Sequence, residues 1–137
     1  MTSLFTTPEI EVELDELEKN QPDESDAAWL LLQELYENRE LLAELKAPEI
    51  RYGHLPLFEF KVFEAAMNLG YCIYILKYYE PNHGHLCGQR IFFGHNPNNN
   101  TYYALAIAPR VTAYRTDLAG FSELCRRYEF YRIPRIS

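Results

Sequence analysis

Three strand-like runs, joined by short turn-forming stretches, constrain this chain more than any other feature. Residues 71–80 place Cys72, Tyr74, Leu76 and Tyr78 on one side and Tyr71, Ile73, Ile75, Lys77 and Tyr79 on the other. That period of two is the signature of a strand. Residues 89–95 read as a second strand and residues 101–108 as a third. Pro81-Asn82-His83-Gly84 and Asn96-Pro97-Asn98-Asn99-Asn100 supply the turns, since Asn and Gly tolerate positive φ and Pro fixes a corner. Two consecutive short connections favour an antiparallel meander. In the third run Ala104, Ala106 and Ala108 share one side and Tyr103, Leu105 and Ile107 the other, so a helix can approach the alanines closely.

Helices are expected around this meander. The first spans about residues 26–46, capped by Ser25 or Asp23 and stopped by Pro48. It carries one stripe of Trp29, Leu32 and Tyr36, another of Leu31, Leu35, Leu42 and Leu45, and a wet face of glutamates. Residues 56–69 are read as a second helix, between Pro56 and Gly70, although Phe58, Phe60 and Val62 also alternate with Glu59 and Lys61 as a strand would. A last helix runs over about residues 117–128, with Thr116 as cap and Leu118, Phe121, Leu124 and Cys125 inward. Residues 1–24 read as an acidic, weakly ordered lead-in, in which Ile10, Val12 and Leu14 alternate with acids and could add an edge strand; residues 18–24 read as linker. The expectation is an α+β fold: a three-stranded antiparallel β-meander with N-terminal helices and a C-terminal helix packed on it, all in one domain over residues 25–137.

Charge divides the chain. Residues 1–50 hold 14 acidic side chains against 3 basic ones, a net of −11, while residues 51–137 hold 10 basic against 6 acidic, a net of +4. Such asymmetry points the basic part toward something anionic, either RNA or the chain's own acidic segment. An acidic tail that only aids solubility explains it equally well. The three cysteines form no CxxC pair, which fits a reducing compartment. No leader and no apolar run of about 20 residues is visible, so the expected location is cytoplasmic with no membrane partner.

Three groups of residues could carry function. Lys77, Arg90 and Arg110, followed by Tyr114 and Arg115, would converge on one concave face if the meander brings their strands together. Arginine forks pair with phosphate oxygens and tyrosines stack on bases. Arginines that merely face solvent or neutralise the acidic helix are the more frequent outcome. The run His83-Gly84-His85-Leu86-Cys87, with His95 and Cys72, offers imidazole and thiolate groups but no assignable fourth ligand, so no metal is expected. The first helix, from Trp29 through Leu45, has apolar coverage wide enough for docking a partner or a second copy, or for packing on its own sheet.

The element order, together with Gly88-Gln89-Arg90-Ile91-Phe92-Phe93, the Asn-rich hairpin, Tyr102-Tyr103-Ala104-Leu105-Ala106-Ile107-Ala108-Pro109-Arg110 and Tyr114, resembles the RelE/ParE superfamily of bacterial toxins over about residues 70–128. The resemblance implies a microbial RNase-like fold. In the RelE branch it implies ribosome-dependent mRNA cleavage, with Lys77, Arg90, Arg110 and Tyr114 as counterparts of the functional positions.

Nucleotide-hydrolase, dinucleotide-redox, serine-hydrolase and zincin signatures are absent. Two readings follow. The first is a non-catalytic binding or regulatory protein without cofactor, contacting a protein partner or a second copy through Trp29, Tyr36, Tyr74, Tyr78, Tyr102 and Arg115. The second is the toxin-like endoribonuclease using Arg90, Arg110, Tyr114 and Lys77. The first ranks higher, because a net-acidic chain opposes the counterion release that drives RNA affinity.

Overall fold

A computed structural model describes residues 1–45, 57–82 and 84–136. Within them lie strands β1 (Ser3–Thr6), β2 (Phe58–Val62), β3 (Ile73–Tyr79), β4 (Leu86–Asn96) and β5 (Thr101–Pro109). The helices are α1 (Pro8–Asn20), α2 (Pro22–Glu37), α3 (Arg39–Ala43), α4 (Glu64–Asn68), α5 (Arg110–Ala113) and α6 (Ala119–Phe130). The five strands form one mixed sheet in the order β1-β5-β4-β3-β2. The antiparallel β3-β4-β5 unit is its centre; β2 adds antiparallel to β3, and β1 adds parallel to β5. The expected meander is therefore the middle of a larger sheet.

Both faces of this sheet are covered. Tyr74, Leu76, Tyr78, Ile91, Phe93, Tyr102 and Ala104 pack beneath α1, α2 and α3 through Ile10, Leu14, Leu31, Leu35 and Leu42. On the opposite face Ile73, Ile75, Phe92, Leu105 and Ala106 meet Ala66 of α4, Ala113 of α5, and Leu124 and Tyr128 of α6. Gly94 in β4 makes the second packing possible, since a Cβ there would stand 2.7 Å from Ile133 and 3.2 Å from the Tyr128 ring. Among the described residues no helix is long and apolar enough to cross a membrane.

Several sequence expectations change. The first residues are ordered as β1 and α1 rather than a loose lead-in. Residues 10, 12 and 14 alternate, but Ile10 and Leu14 are buried while Val12 is exposed, so spacing by four governs. Thr7 caps the helix by accepting from the Ile10 amide at 3.3 Å, and Pro8 presets the first turn. Its hydroxyl also donates to the Ala104 carbonyl at 2.8 Å, anchoring α1 to β5. No linker separates α1 from α2; Gln21 closes one and opens the other.

The first long helix begins at Pro22 and breaks at Asn38, whose side chain accepts from the Leu41 amide at 3.0 Å and starts α3. Its expected stop near Lys46 and Pro48 lies outside the described residues. The buried stripe is Ala28, Leu31, Leu32 and Leu35, so Trp29 is half-buried and Tyr36 is 65% exposed.

The expected second helix is mostly strand. Phe58, Phe60 and Val62 stand opposite Tyr78, Leu76 and Tyr74 in the register, and the Phe60 and Tyr74 rings stack at 4.9 Å. The alternation prevails because pairing with β3 satisfies the backbone and buries Phe58 at once. Only Glu64–Asn68 stays helical, and Gly70 follows it at φ +92°, the left-handed position suited to glycine beyond a helix end. The last helix starts at Ala119 with no side-chain cap, so Thr116 does not serve as one.

Candidate ligand-binding cleft

The site arises where the sheet is incomplete. β1 accompanies β5 only from Thr101 to Ala104. From Leu105 onward that edge of β5 has no neighbouring strand among the described residues. The β4-β5 register also shifts there, with Phe92 opposite Ala106 but Phe93 opposite Ala104. Leu105 is the extra residue of a bulge. Leu105 and Ala106 consequently both join the α6 side, while Ala104 and Ile107 join the other. The continuous alanine stripe expected from sequence is split by this bulge.

An ion pair takes the place of the missing strand. Arg127 of α6 donates through Nη1 to the Leu105 carbonyl at 2.8 Å. Glu13 of α1 accepts from the Ile107 amide at 3.2 Å. The two side chains join each other in a fork, Nη1 to Oε1 at 3.0 Å and Nη2 to Oε2 at 3.1 Å. Arg127 Nε further donates to Glu123 at 2.8 Å. The edge groups of β5 are thus satisfied by side chains, and Pro109 ends the strand without a donor, so a further strand finds little to pair with. Arg126 grips the same Glu123 carboxylate through two bonds of 2.7 Å. The bonds from Arg126 and Arg127 hold the Glu123 carboxyl down at about 2.

Beside this network opens a cleft of about 290 Å³. Phe92, Ala106 and Ala108 of the sheet, Ala113 of α5, and Phe121 and Leu124 of α6 form its apolar walls. Space remains because three of these residues are alanines opposite rings and one leucine. Glu13, Glu123, Arg127, Thr112 and Arg115 line its polar side. Thr112 donates to the Pro109 carbonyl at 3.2 Å. Arg115 forks onto Asp117 at 3.0 and 2.8 Å, a contact that raises the guanidinium pKa and lowers that of the carboxyl.

Of the expected binding residues only Arg115 reaches this cleft. Tyr74, Tyr78 and Tyr102 are core residues. Tyr78 donates to the Glu24 carbonyl at 3.0 Å, Tyr74 stacks on Phe60, and the Tyr102 ring sits 4.5 Å from that of His95. Burial drives the pKa of all three phenols upward. The sheet face expected to display them is covered by α1–α3. Trp29 packs against the same core from its edge, and Tyr36 stands apart on α2.

The four toxin-like positions have separate environments. Arg90 is 2% exposed and spends Nη1 on the Cys87 and Gln89 carbonyls, at 3.0 and 2.8 Å. There β4 slips register, with Lys77 opposite Arg90 but Tyr79 opposite Leu86, so Arg90 satisfies carbonyls that the slip leaves over. Lys77 pairs with Glu59 at 3.2 Å. Arg110 is exposed on α5. Tyr114 lines a shallow hollow with Lys61, Phe63 and Glu64, whose lining includes none of the other three. Lys61 lies 5.6 Å from the Tyr114 ring centre.

His83 lies outside the described residues. His85 is exposed, Cys87 is buried with its thiol pushed up to about 12, and His95 contacts Asn100 at 3.2 Å. Among the described residues no group of three metal-ligating side chains gathers.

Sequence reasoning missed Glu13, Glu123 and Arg127 as partners. The four-residue spacing of Glu123 and Arg127 on one helix was a usable signal. Glu13 carried none, because its role depends on α1 lying against β5 beyond the end of β1. Comparison with protein-family models, curated proteins and solved structures finds no match.

Proposed function

We propose that this chain is a non-catalytic binding protein whose recognition site is the cleft between β5, α5 and α6. The observation that carries this reading is the commitment of the cleft's polar groups. Arg127 pairs with Glu13 and Glu123, and the Thr112 hydroxyl donates to the Pro109 carbonyl, leaving only Arg115 on the polar side with spare donors among the described residues. A general base works best with a pKa near the working pH, whereas Glu123 sits near 2. What the cleft offers is space bounded by carbon. Its volume falls at the lower end of small-molecule sites, so it admits a ring or a short aliphatic segment of a partner.

The placement of Arg90 and Lys77 also favours binding over phosphoryl chemistry, since both cations are engaged within the sheet. The test is ligand-observed NMR with a library of small apolar fragments against the native chain and Ala108→Phe, which fills the cleft. Fragments should bind the native chain and lose contact with the variant. Equal binding to both would remove the cleft as the site.

A further inference from the structure

Resting on that reading, we infer that the cleft takes a small monocarboxylate with an apolar body. Most of the charged groups that face the space are already held by one another. Arg127 is committed on every nitrogen: Nε to Glu123, Nη1 to Glu13 and Leu105, Nη2 to Glu13. Glu13 and Glu123 are in turn held by that guanidinium, and Arg126 adds two bonds to Glu123. None of these groups can turn to a ligand without abandoning a partner in a half-buried setting, which is costly.

Arg115 differs. It lines the same cleft, its side chain is 56% exposed, and its ionic partner among the described residues, Asp117, is 64% exposed. Asp117 occupies Nε and one N–H of Nη2, so the Nη1 side of the fork still carries donors for a second carboxylate. Exposed pairs of this kind are weak and give way readily. A cleft with apolar walls and one recruitable guanidinium at its polar side matches a ligand with the same two parts.

The net charge of the lining limits that ligand to one negative charge. Glu13 and Glu123 oppose Arg115 and Arg127, and the flanking Asp117 and Arg126 cancel as well. A second anionic group would meet Glu123 or Asp117 without a cation of its own. An ammonium would meet Arg115 directly. Size follows from the volume of about 290 Å³. At roughly 30 Å³ per water-sized unit this accommodates on the order of ten non-hydrogen atoms.

Octanoate, 1-octanol and octylammonium share one tail and differ in the head, so isothermal titration of the full chain with each separates the contributions. Octanoate should bind about two- to fivefold tighter than the other two, the size expected of one ion pair at an exposed site. Arg115→Gln, an exposed substitution, should erase that advantage and leave octanol unchanged. Ala108→Phe should abolish binding of both. Octanol binding as tightly as octanoate, with loss of both in Ala108→Phe, would overturn the carboxylate inference and leave the cleft standing as an apolar site. Octanoate binding unaltered by either substitution would overturn both. Failure of all three probes to bind at millimolar concentration would overturn the inference, while the fragment comparison above judges the cleft independently.

Discussion

The two faces of the sheet are packed by different means. On the α1–α3 side, leucines from two long helices and a short one interlock with Tyr78, Ile91 and Phe93. Leu14, Leu31, Leu35 and Leu42 are wholly buried there. On the α4–α6 side, two one-turn helices and one of 12 residues cover the strands with alanines and rings, and an open volume remains between them. Long helices bring continuous stripes that fill a face; short ones leave seams. The cleft lies at such a seam, where β1 has ended and the bulge in β5 turns Ala106 toward α6. Both faces carry core, but only the second leaves a cleft, and it is there that we place the proposed recognition site.

Paired truncations test this contrast most directly. Leu35→Ala, in the filled face, should cost about 3–5 kcal/mol in urea unfolding, whereas Leu124→Ala, already beside open space, should cost about 2–3 kcal/mol. Equal losses would show the second face to be as tightly filled as the first.

The ion pair at the β5 edge comes next in size. Arg127→Met leaves Glu13 without its cation and the Leu105 carbonyl without its donor. About 2–3 kcal/mol should be lost, less than for a fully buried pair because Glu13 is 31% exposed. Hydrogen exchange at the Ile107 amide should accelerate in this variant, while amides of α2 exchange as before.

A smaller effect is expected in acid. The Glu123 carboxyl is lowered from 4.5 to about 2 in the folded chain, so its pairing stabilises fully above about pH 4.5 and is lost as pH falls through 2. Exposure of 40% screens the pair, leaving less than about 1 kcal/mol. Trp29 fluorescence at fixed urea should show a steeper acid loss between pH 4.5 and 2 in the native chain than in Glu123→Gln. Identical slopes would mean that the α6 network contributes nothing to the second face.

Least of all, Arg115→Gln should leave the urea midpoint where it is, since its partner is as exposed as itself. A large loss would mark Arg115 as structural and weaken its assignment to binding.

Much of the central sheet was legible because β3 alternates, β4 and β5 are rich in strand-forming residues, and their connections are short. Gly70 past a helix end was legible for an equally local reason. Residues 10–14, offered as a possible edge strand, are helix, and residues 58–62, read as helix with strand as the open alternative, are strand. Each fits both periods, and the decision fell to partners far along the chain: Ala104 for α1 through Thr7, and Tyr78 for β2 through Phe58. Of the cleft, Arg115 was named from sequence as a binding residue, while Glu13 and Arg127 meet only because α1 and α6 approach the same stretch of β5.

From the order of its residues alone, this chain is committed to an α+β fold with an antiparallel centre and an acidic beginning set against a basic remainder. Alternation, turn chemistry and charge act between near neighbours and survive in the linear order. Folding in three dimensions chose where β1 stops, where β5 bulges and which arginine is enclosed. Those outcomes depend on backbone groups from distant segments competing for the same partners. The cleft is a product of that competition, since an edge left without a strand must be satisfied by side chains, and the space beside them stays open.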